Sequence, residues 1–365
     1  MRRRDFLKLA AAGLTLSACR TGGGTGGATG GAMGPGPDSA PGPRVLDGIA
    51  VIDIHAHPDC SDGDGVAKVA DLVPGGLSAA CFAVVGDSQW SHGRPSDLTV
   101  HPVERPYALR QIKAWLDGPL AQGRAALVRT AADLPGAGAT VPGAILAIEG
   151  GDPLEGRADR VDEFYGLGVR LITLIHYRNN EIGDTMRPNP KGRDSGPFRG
   201  GLSPEGREII TRMEALGMVV DVAHASAATL ADILAVATKP VIDSHTGPCH
   251  RGSPGLCGRL RTPEEMRSVV AAGGVVCSWA YARPLSAGGF AEWAGDIMEM
   301  KDWLGAEGVG LGTDTGGHLN YVSGYRGWRD LDQLAQALVA AGMTREELAG
   351  FFGGNVRRVL GQCLG

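Results

Sequence analysis

Eight short runs of almost unbroken apolar residues, most of them rich in Val and Ile, recur through the chain at residues 48–54, 79–85, 144–148, 170–175, 218–223, 240–244, 274–279 and 309–313. A strand with one face in water alternates apolar and polar residues. A continuous apolar run implies burial on both faces, as in a parallel sheet covered by helices. The stretches between the runs carry helix punctuation. Ser203-Pro204-Glu205 opens an amphipathic segment that runs to Leu216, and another covers residues 226–235. Thr262-Pro263-Glu264-Glu265 opens a third, which Gly273 ends. Segments 331–341, 345–352 and 354–360 complete or cap the set. Eight strands alternating with helices predict a single-domain α/β fold, a (β/α)8 TIM-type barrel. A doubly wound open sheet is the alternative, but no Gly-x-Gly-x-x-Gly turn follows the first run.

The barrel is expected over residues 45–365. Residues 1–19 read as a twin-arginine lipoprotein signal: Arg3-Arg4-Asp5-Phe6-Leu7-Lys8, an apolar segment over 9–16, then Leu16-Ser17-Ala18-Cys19, similar to a bacterial lipobox. Cleavage before Cys19 and acylation of its thiol would leave an exported periplasmic or cell-surface lipoprotein on a bacterial membrane. The apolar segment itself is too short for a permanent span. Residues 20–44 are Gly, Pro, Ala, Ser and Thr without periodicity, a flexible tether. A net charge of −5 and a pI near 6.0 leave no basic stripe, so no nucleic-acid partner is expected. With Cys19 lipidated, six cysteines remain. Export permits disulfides, and Cys249 and Cys257 are close enough to close a loop, although sequence does not fix pairing.

The runs end in ligand-type residues. The first ends in His55 and His57, two residues apart and so on one side of a strand. The third ends in Glu149, the fourth in His176, the fifth in His224, the sixth in His245 and the eighth in Asp314. A lone strand-end histidine is more often a hydrogen-bonded core residue, and a lone strand-end acid a cap or ion-pair member. Here five of nine histidines fall at strand ends, and in a barrel those ends share one rim, where active sites of this fold sit. His92, His101, His250 and His318 are left as loop residues. Four histidines and one carboxylate suit a centre of two divalent metal ions, zinc foremost, with the carboxylate bridging ions about 3.5–4 Å apart. Water held there ionises near neutral pH, and Asp314 is the acid left to move protons.

Several stretches resemble the membrane (renal-type) dipeptidase family, zinc peptidases of the amidohydrolase superfamily. They are Leu-Ala-Ile-Glu-Gly around Glu149, Leu-Ile-His-Tyr-Arg-Asn-Asn around His176, and Gly-Met-Val-Val-Asp-Val-Ala-His-Ala-Ser around His224. Asp-Ser-His at His245, Gly-Leu-Gly-Thr-Asp at Asp314 and Gly-Gly-Asn-Val-Arg-Arg-Val from Gly353 follow in family order. The resemblance implies roles. His55, His57 and Glu149 would hold one zinc, and Glu149, His224 and His245 the other. His176 would bind substrate and steady the oxyanion, while Asp314 would pass a proton to the departing amine. An arginine after the sixth strand would grip the substrate carboxylate. Arg259 is the first candidate and Arg261 the second, with a solvated surface arginine as the bland reading of either.

Two departures bear on the substrate. The family usually has His-x-Asp at the first strand, where this chain has the His-x-His of most other amidohydrolases. The stretch from Asp59 to Asp64 is also unusually acidic. The expectation is a lipid-anchored binuclear dipeptidase acting through metal-activated hydroxide. A hydrolase of another small amide, lactone, β-lactam or phosphoester is the alternative. A non-catalytic binding lipoprotein would lack some ligands, and none is missing. A Schiff-base aldolase barrel would need a strand-end lysine, and none is present. The sequence leaves the oligomeric state open, a homodimer included.

Overall fold

A computed structural model describes residues 43–59, 67–87, 104–186, 198–249, 257–282, 288–317 and 320–365. The signal, Cys19, nearly all of the tether, most of the acidic stretch after Asp59, and His92, His101, His250 and His318 lie outside these residues.

Each of the eight apolar runs overlaps a strand. In chain order the strands are β1 (Val51–Asp53), β2 (Leu77–Val85), β3 (Ala126–Leu127), β4 (Gly143–Glu149), β5 (Val169–Thr173), β6 (Val219–Asp221), β7 (Ile242–Thr246), β8 (Val275–Ser278) and β9 (Val309–Leu311). All pairings are parallel, in the order β1-β2-β4-β5-β6-β7-β8-β9. The short β3 pairs with β4 off this path. Its two residues carry no period that sequence can show. The last strand returns to the first beyond their regular ladders. Ile54 N donates to Leu311 O at 3.1 Å, Asp314 N to His55 O at 2.9 Å and His57 N to Thr315 O at 2.8 Å. These bonds close the (β/α)8 barrel.

The period of two along each strand divides the core into two layers. One face packs outward against the helices, with Phe82, Val84, Leu146, Ile148, Ile172, Val220 and Val276 in one apolar cluster. The alternate residues Ile52, Ala79, Ile145, Leu171, Val219, Ile242 and Val275 form a second cluster. The helix Asn355–Cys363 plugs that inner layer with Val356, Val359 and Leu360. Continuous apolarity in the runs thus reflects burial on both faces.

The helices start where their caps stand. Ser203 Oγ accepts from Gly206 N ahead of Pro204–Leu216, and Ser226 Oγ accepts from Thr229 N ahead of Ala227–Val236. Thr262 and Glu265 form a reciprocal capping box at Pro263–Ala271. Cys249 and Cys257 are disulfide-bonded, and Cys81, Cys277 and Cys363 are buried thiols. No helix among the described residues is long and apolar enough to cross a membrane.

One buried carboxylate pins the closing seam. Asp53, at the end of β1, accepts from Thr313 N at 2.8 Å, Thr313 Oγ1 at 2.6 Å and Trp328 Nε1 at 2.7 Å. Removing it strands several buried donors, each costing about 1–3 kcal/mol. We expect Asp53→Ala to destabilise the chain by roughly 3–5 kcal/mol. The check is a fall in the urea midpoint at unchanged slope, with Asp53→Asn, which keeps one acceptor oxygen, falling between the two.

Candidate metal centre

The sequence-predicted residues converge on Glu149. It is the last residue of β4, on the inner face that also carries Ile145 and Ala147, and is only 3% exposed. Its Oε1 lies 3.4 Å from His55 Nε2, 3.2 Å from His224 Nε2, 3.3 Å from His245 Nε2 and 3.5 Å from His176 Nε2. Its Oε2 lies 3.5 Å from His57 Nε2. Asp314 Oδ1 stands 3.3 Å from His57 Nε2 and 3.9 Å from His55 Nε2. Five strand ends therefore deliver one carboxylate and five imidazoles into a single volume, with Asp314 at its edge.

Local backbone geometry makes this possible. His224 and Asp314 adopt left-handed φ values of +65° and +56°, among three such non-glycine residues in the described chain. Bends of this kind cost energy and persist where surrounding contacts enforce them. After Asp314 the chain turns through Gly316 and Gly317. A Cβ on Gly317 would sit 1.9 Å from Asp314 Oδ1, so only glycine leaves that carboxylate its place. At β7 the register against β8 shifts between Asp243 and Thr246, an irregularity of the kind that re-aims side chains. Ser244 and its neighbour His245 both reach inward there.

The donor chemistry fits a pair of cations. His55, His57 and Glu149 form one group whose ligand atoms lie within 4.8 Å of one another, and Glu149, His224 and His245 form another. Burial opposes charge on Glu149, but the positive potential of His176 and His55 and hydrogen bonds from His224 and His245 outweigh it. They hold the carboxyl well below its usual range. Burial and the charge on Arg259 push His224 well down, and burial with the charge on His55 lowers His245 to about 3. In the second group, neutral His224 and His245 beside an ionised carboxylate are in the state a divalent ion requires. His224 Nε2 and His245 Nε2 are 3.0 Å apart, too close for two lone pairs without a proton or cation between them. His55 Nε2 is buried without a hydrogen-bond partner among the described residues.

His176 is held differently. Its Nδ1 is 2.5 Å from Asp87 Oδ1, and Asp87 Oδ2 accepts from Tyr177 N at 3.1 Å. Burial pulls the imidazolium down, yet the charges of Asp87 and Glu149 prevail and raise it to about 9. Sequence reasoning missed Asp87. It stands two residues past β2, where a Gly-Asp turn reads as an ordinary loop.

The two candidate arginines separate. Neither is at the surface: Arg259 is 3% exposed and Arg261 1%. Arg261 is consumed by structure, with Nε on Asp243 Oδ2 at 2.8 Å, Nη1 on Ala225 O at 2.6 Å and Nη2 on Val222 O at 2.5 Å. Arg259 lies in the site instead. Its guanidinium sits 4.7 Å over the Trp279 ring, and Nη2 is 2.9 Å from His224 Nε2.

Known proteins resemble this chain over much of its length. A dipeptidase from Aspergillus oryzae, aclJ, is 31% identical over 224 residues, 60% of this chain and 50% of its own length. Another, verJ from Clonostachys rogersoniana, is 30% identical over 59% of this chain and 54% of its own. The chain thus spans about half the length of the curated relatives it matches. Among solved structures, the probable dipeptidase PvdM from Pseudomonas aeruginosa superposes with a TM-score of 0.77. It is 19% identical and covers 87% of this chain and 96% of its own. A metallopeptidase from Rhodobacter sphaeroides, liganded with a phosphinate mimic of the dipeptide L-Ala-D-Ala, gives a TM-score of 0.72. It is 20% identical and covers 87% of this chain and 100% of its own. These likenesses carry the fold. The family model of the membrane dipeptidases matches residues 60–363, which takes in every strand end of the centre except that of β1, and on that match the chain belongs to the membrane dipeptidase family, peptidase family M19.

Proposed function

We propose that this chain is an exported, lipid-anchored dipeptidase. Two divalent cations, zinc foremost, would be held by His55, His57 and Glu149 and by Glu149, His224 and His245. The observation that carries the reading is Glu149, a member of both ligand groups and ionised although buried. The family match supports the reaction class, and the relatives named as dipeptidases support the substrate. Bound cations would supply Lewis acidity towards a carbonyl oxygen and acidify a water.

The chain's own groups do the rest. Asp314 Oδ1, beside the first pair of histidines and against Gly317, takes a proton from the attacking water and returns it to the leaving amine. His176, fixed by Asp87 through Nδ1, presents Nε2–H to the carbonyl oxygen as negative charge develops there. Arg259, stacked on Trp279, offers its fork to the substrate's free carboxylate. The anchor rests on sequence alone: twin arginines, a short apolar segment and Cys19 in that order.

A second reading keeps the centre and changes the substrate. His57 stands where the family usually has aspartate, which favours a wider range of small amides, lactones, β-lactams or phosphoesters. The deciding experiment is hydrolysis of a dipeptide panel by the full chain with its metal content measured. We expect two metals per chain, loss of turnover on chelation, recovery on adding Zn2+, and a fall of at least ~100-fold in kcat for Asp314→Asn. Two metals with no dipeptide cleaved would favour the second reading. A stably unloaded chain would remove both.

Arg259→Lys keeps charge but loses the planar fork, so we expect KM for dipeptides to rise about tenfold or more while kcat changes less. Equal KM for free and amidated dipeptides in the unaltered protein would exclude the carboxylate grip. For the anchor, Cys19→Ala should move the chain from the membrane to the soluble fraction and abolish incorporation of labelled fatty acid.

A further inference from the structure

Ser244 lies between two of the rings. Its Oγ is 2.8 Å from His245 Nδ1 and 3.1 Å from His55 Nδ1, and the residue is fully buried. These histidines belong to opposite ligand groups, His55 with His57 and His245 with His224, joined only through Glu149. A neutral histidine that offers Nε2 as a ligand carries its proton on Nδ1. Both Nε2 atoms face Glu149 Oε1, at 3.4 Å and 3.3 Å. Both Nδ1–H groups then point at one oxygen.

A hydroxyl has two acceptor sites and one hydrogen. With both sites taken by N–H donors, its hydrogen needs an acceptor that carries none. The Asp221 carboxyl meets that need. Its Oδ1 takes the Ser244 N–H at 3.0 Å, which sets the carboxyl beside the hydroxyl. Asp221 Oδ2 is already committed to Thr173 Oγ1 at 2.5 Å, which fixes the carboxyl from its far side. With both Nε2 atoms given to cations in place of Glu149, this arrangement places every proton.

None of the other rings shares this hydroxyl. His57 Nδ1 is 2.9 Å from Ala83 O, and His176 Nδ1 is on Asp87. His224 Nδ1 is buried with no hydrogen-bond partner among the described residues. No other side-chain hydrogen bond is made by His55 Nδ1 or His245 Nδ1 among the described residues.

We propose that Ser244 is a positioning residue shared by both halves of the centre: its one hydroxyl fixes the tautomer and tilt of His55 and of His245, so that the two cation sites are set together. The inference rests on the binuclear reading above. It distinguishes Ser244 from partners that each serve a single ligand, since its loss weakens both sites at once. Removal of one outer hydrogen-bond partner commonly lowers metal affinity 10–100-fold.

The test is metal retention, read without turnover. The full chain loaded with Zn2+ is titrated with a competing chelator beside Ser244→Ala and Ser244→Thr. We expect both ions to leave Ser244→Ala at free-zinc levels at least tenfold higher than for the unaltered chain, while Ser244→Thr, which keeps the hydroxyl, stays within about threefold. In 15N-histidine spectra of the zinc-loaded proteins, the Nδ1–H signals of two rings should shift in Ser244→Ala and return in Ser244→Thr. A general loss of stability would not pick out two rings. Wild-type retention of both ions in Ser244→Ala, or loss of one ion alone, overturns the inference and leaves the binuclear reading standing. An unaltered chain that holds no zinc overturns that reading and the inference with it. Should Ser244→Ala fail to fold, Ser244→Cys, a weaker acceptor of similar size, is expected to give the same paired loss at smaller magnitude; unchanged retention there would overturn the inference equally.

Discussion

A carboxylate taken out of water costs several kcal/mol unless charge and hydrogen bonds come with it, and Glu149 is buried at the centre of the barrel's ligand-bearing rim. Everything around it follows from that requirement. Four imidazoles approach one of its oxygens within 3.5 Å and a fifth approaches the other at the same limit. They divide by role. His176 is kept charged by Asp87 and so compensates Glu149 directly, while His224 and His245 are held neutral by burial. A set of lone pairs around an ionised acid, with positive charge to one side, is an environment that already favours a cation before any arrives.

Beneath the centre the barrel uses carboxylates again, now as anchors for backbone. Asp53 ties β1 to the strand that closes the ring, through Thr313 and Trp328. Asp221 accepts from Ala223 N and Ser244 N, joining the ends of β6 and β7. Asp243 takes Arg261, which in turn satisfies the carbonyls of Val222 and Ala225. Each of these acids precedes a histidine of the centre by two or three residues. The segments that must leave regular pairing to aim a ligand are the segments whose backbone groups need other partners. Ligand placement and barrel closure thus share the same hydrogen bonds.

What was legible in the sequence is what burial and period dictate. Runs buried on both faces are continuous in composition, so eight strands could be read, and a histidine at the end of such a run stands out because few polar residues belong there. The two-residue β3 could not be read. Nor could groups whose importance is relational: Asp87 looks like a loop acid, Ser244 like strand filler, and Asp221 was visible only as one letter of a motif. Arg259 and Arg261 are two residues apart with similar neighbours in sequence, and which one reaches the site depends on which way the chain enters the helix Pro263–Ala271. The left-handed φ of His224 and Asp314 was equally hidden, since histidine and aspartate are tolerated there without being required.

The exchange of the family's usual aspartate for His57 changes the charge balance more than the geometry. His57 Nδ1 is fixed on Ala83 O, so Nε2 is the ring atom turned towards Glu149 and Asp314. A neutral donor there leaves the first group with Glu149 as its sole anion. The next negative charge is Asp314, whose Oδ1 is 3.3 Å from His57 Nε2 and 3.9 Å from His55 Nε2. With an aspartate at position 57, a cation in the first group would meet a second charge without help from Asp314. With histidine, the electrostatic demand on Asp314 would grow, and in the proposed mechanism the same carboxylate moves the proton. Stronger attraction to a cation makes a carboxylate a weaker base, so under the proposed mechanism the exchange would tie substrate reactivity to the metal more tightly than a conservative swap of ligands would.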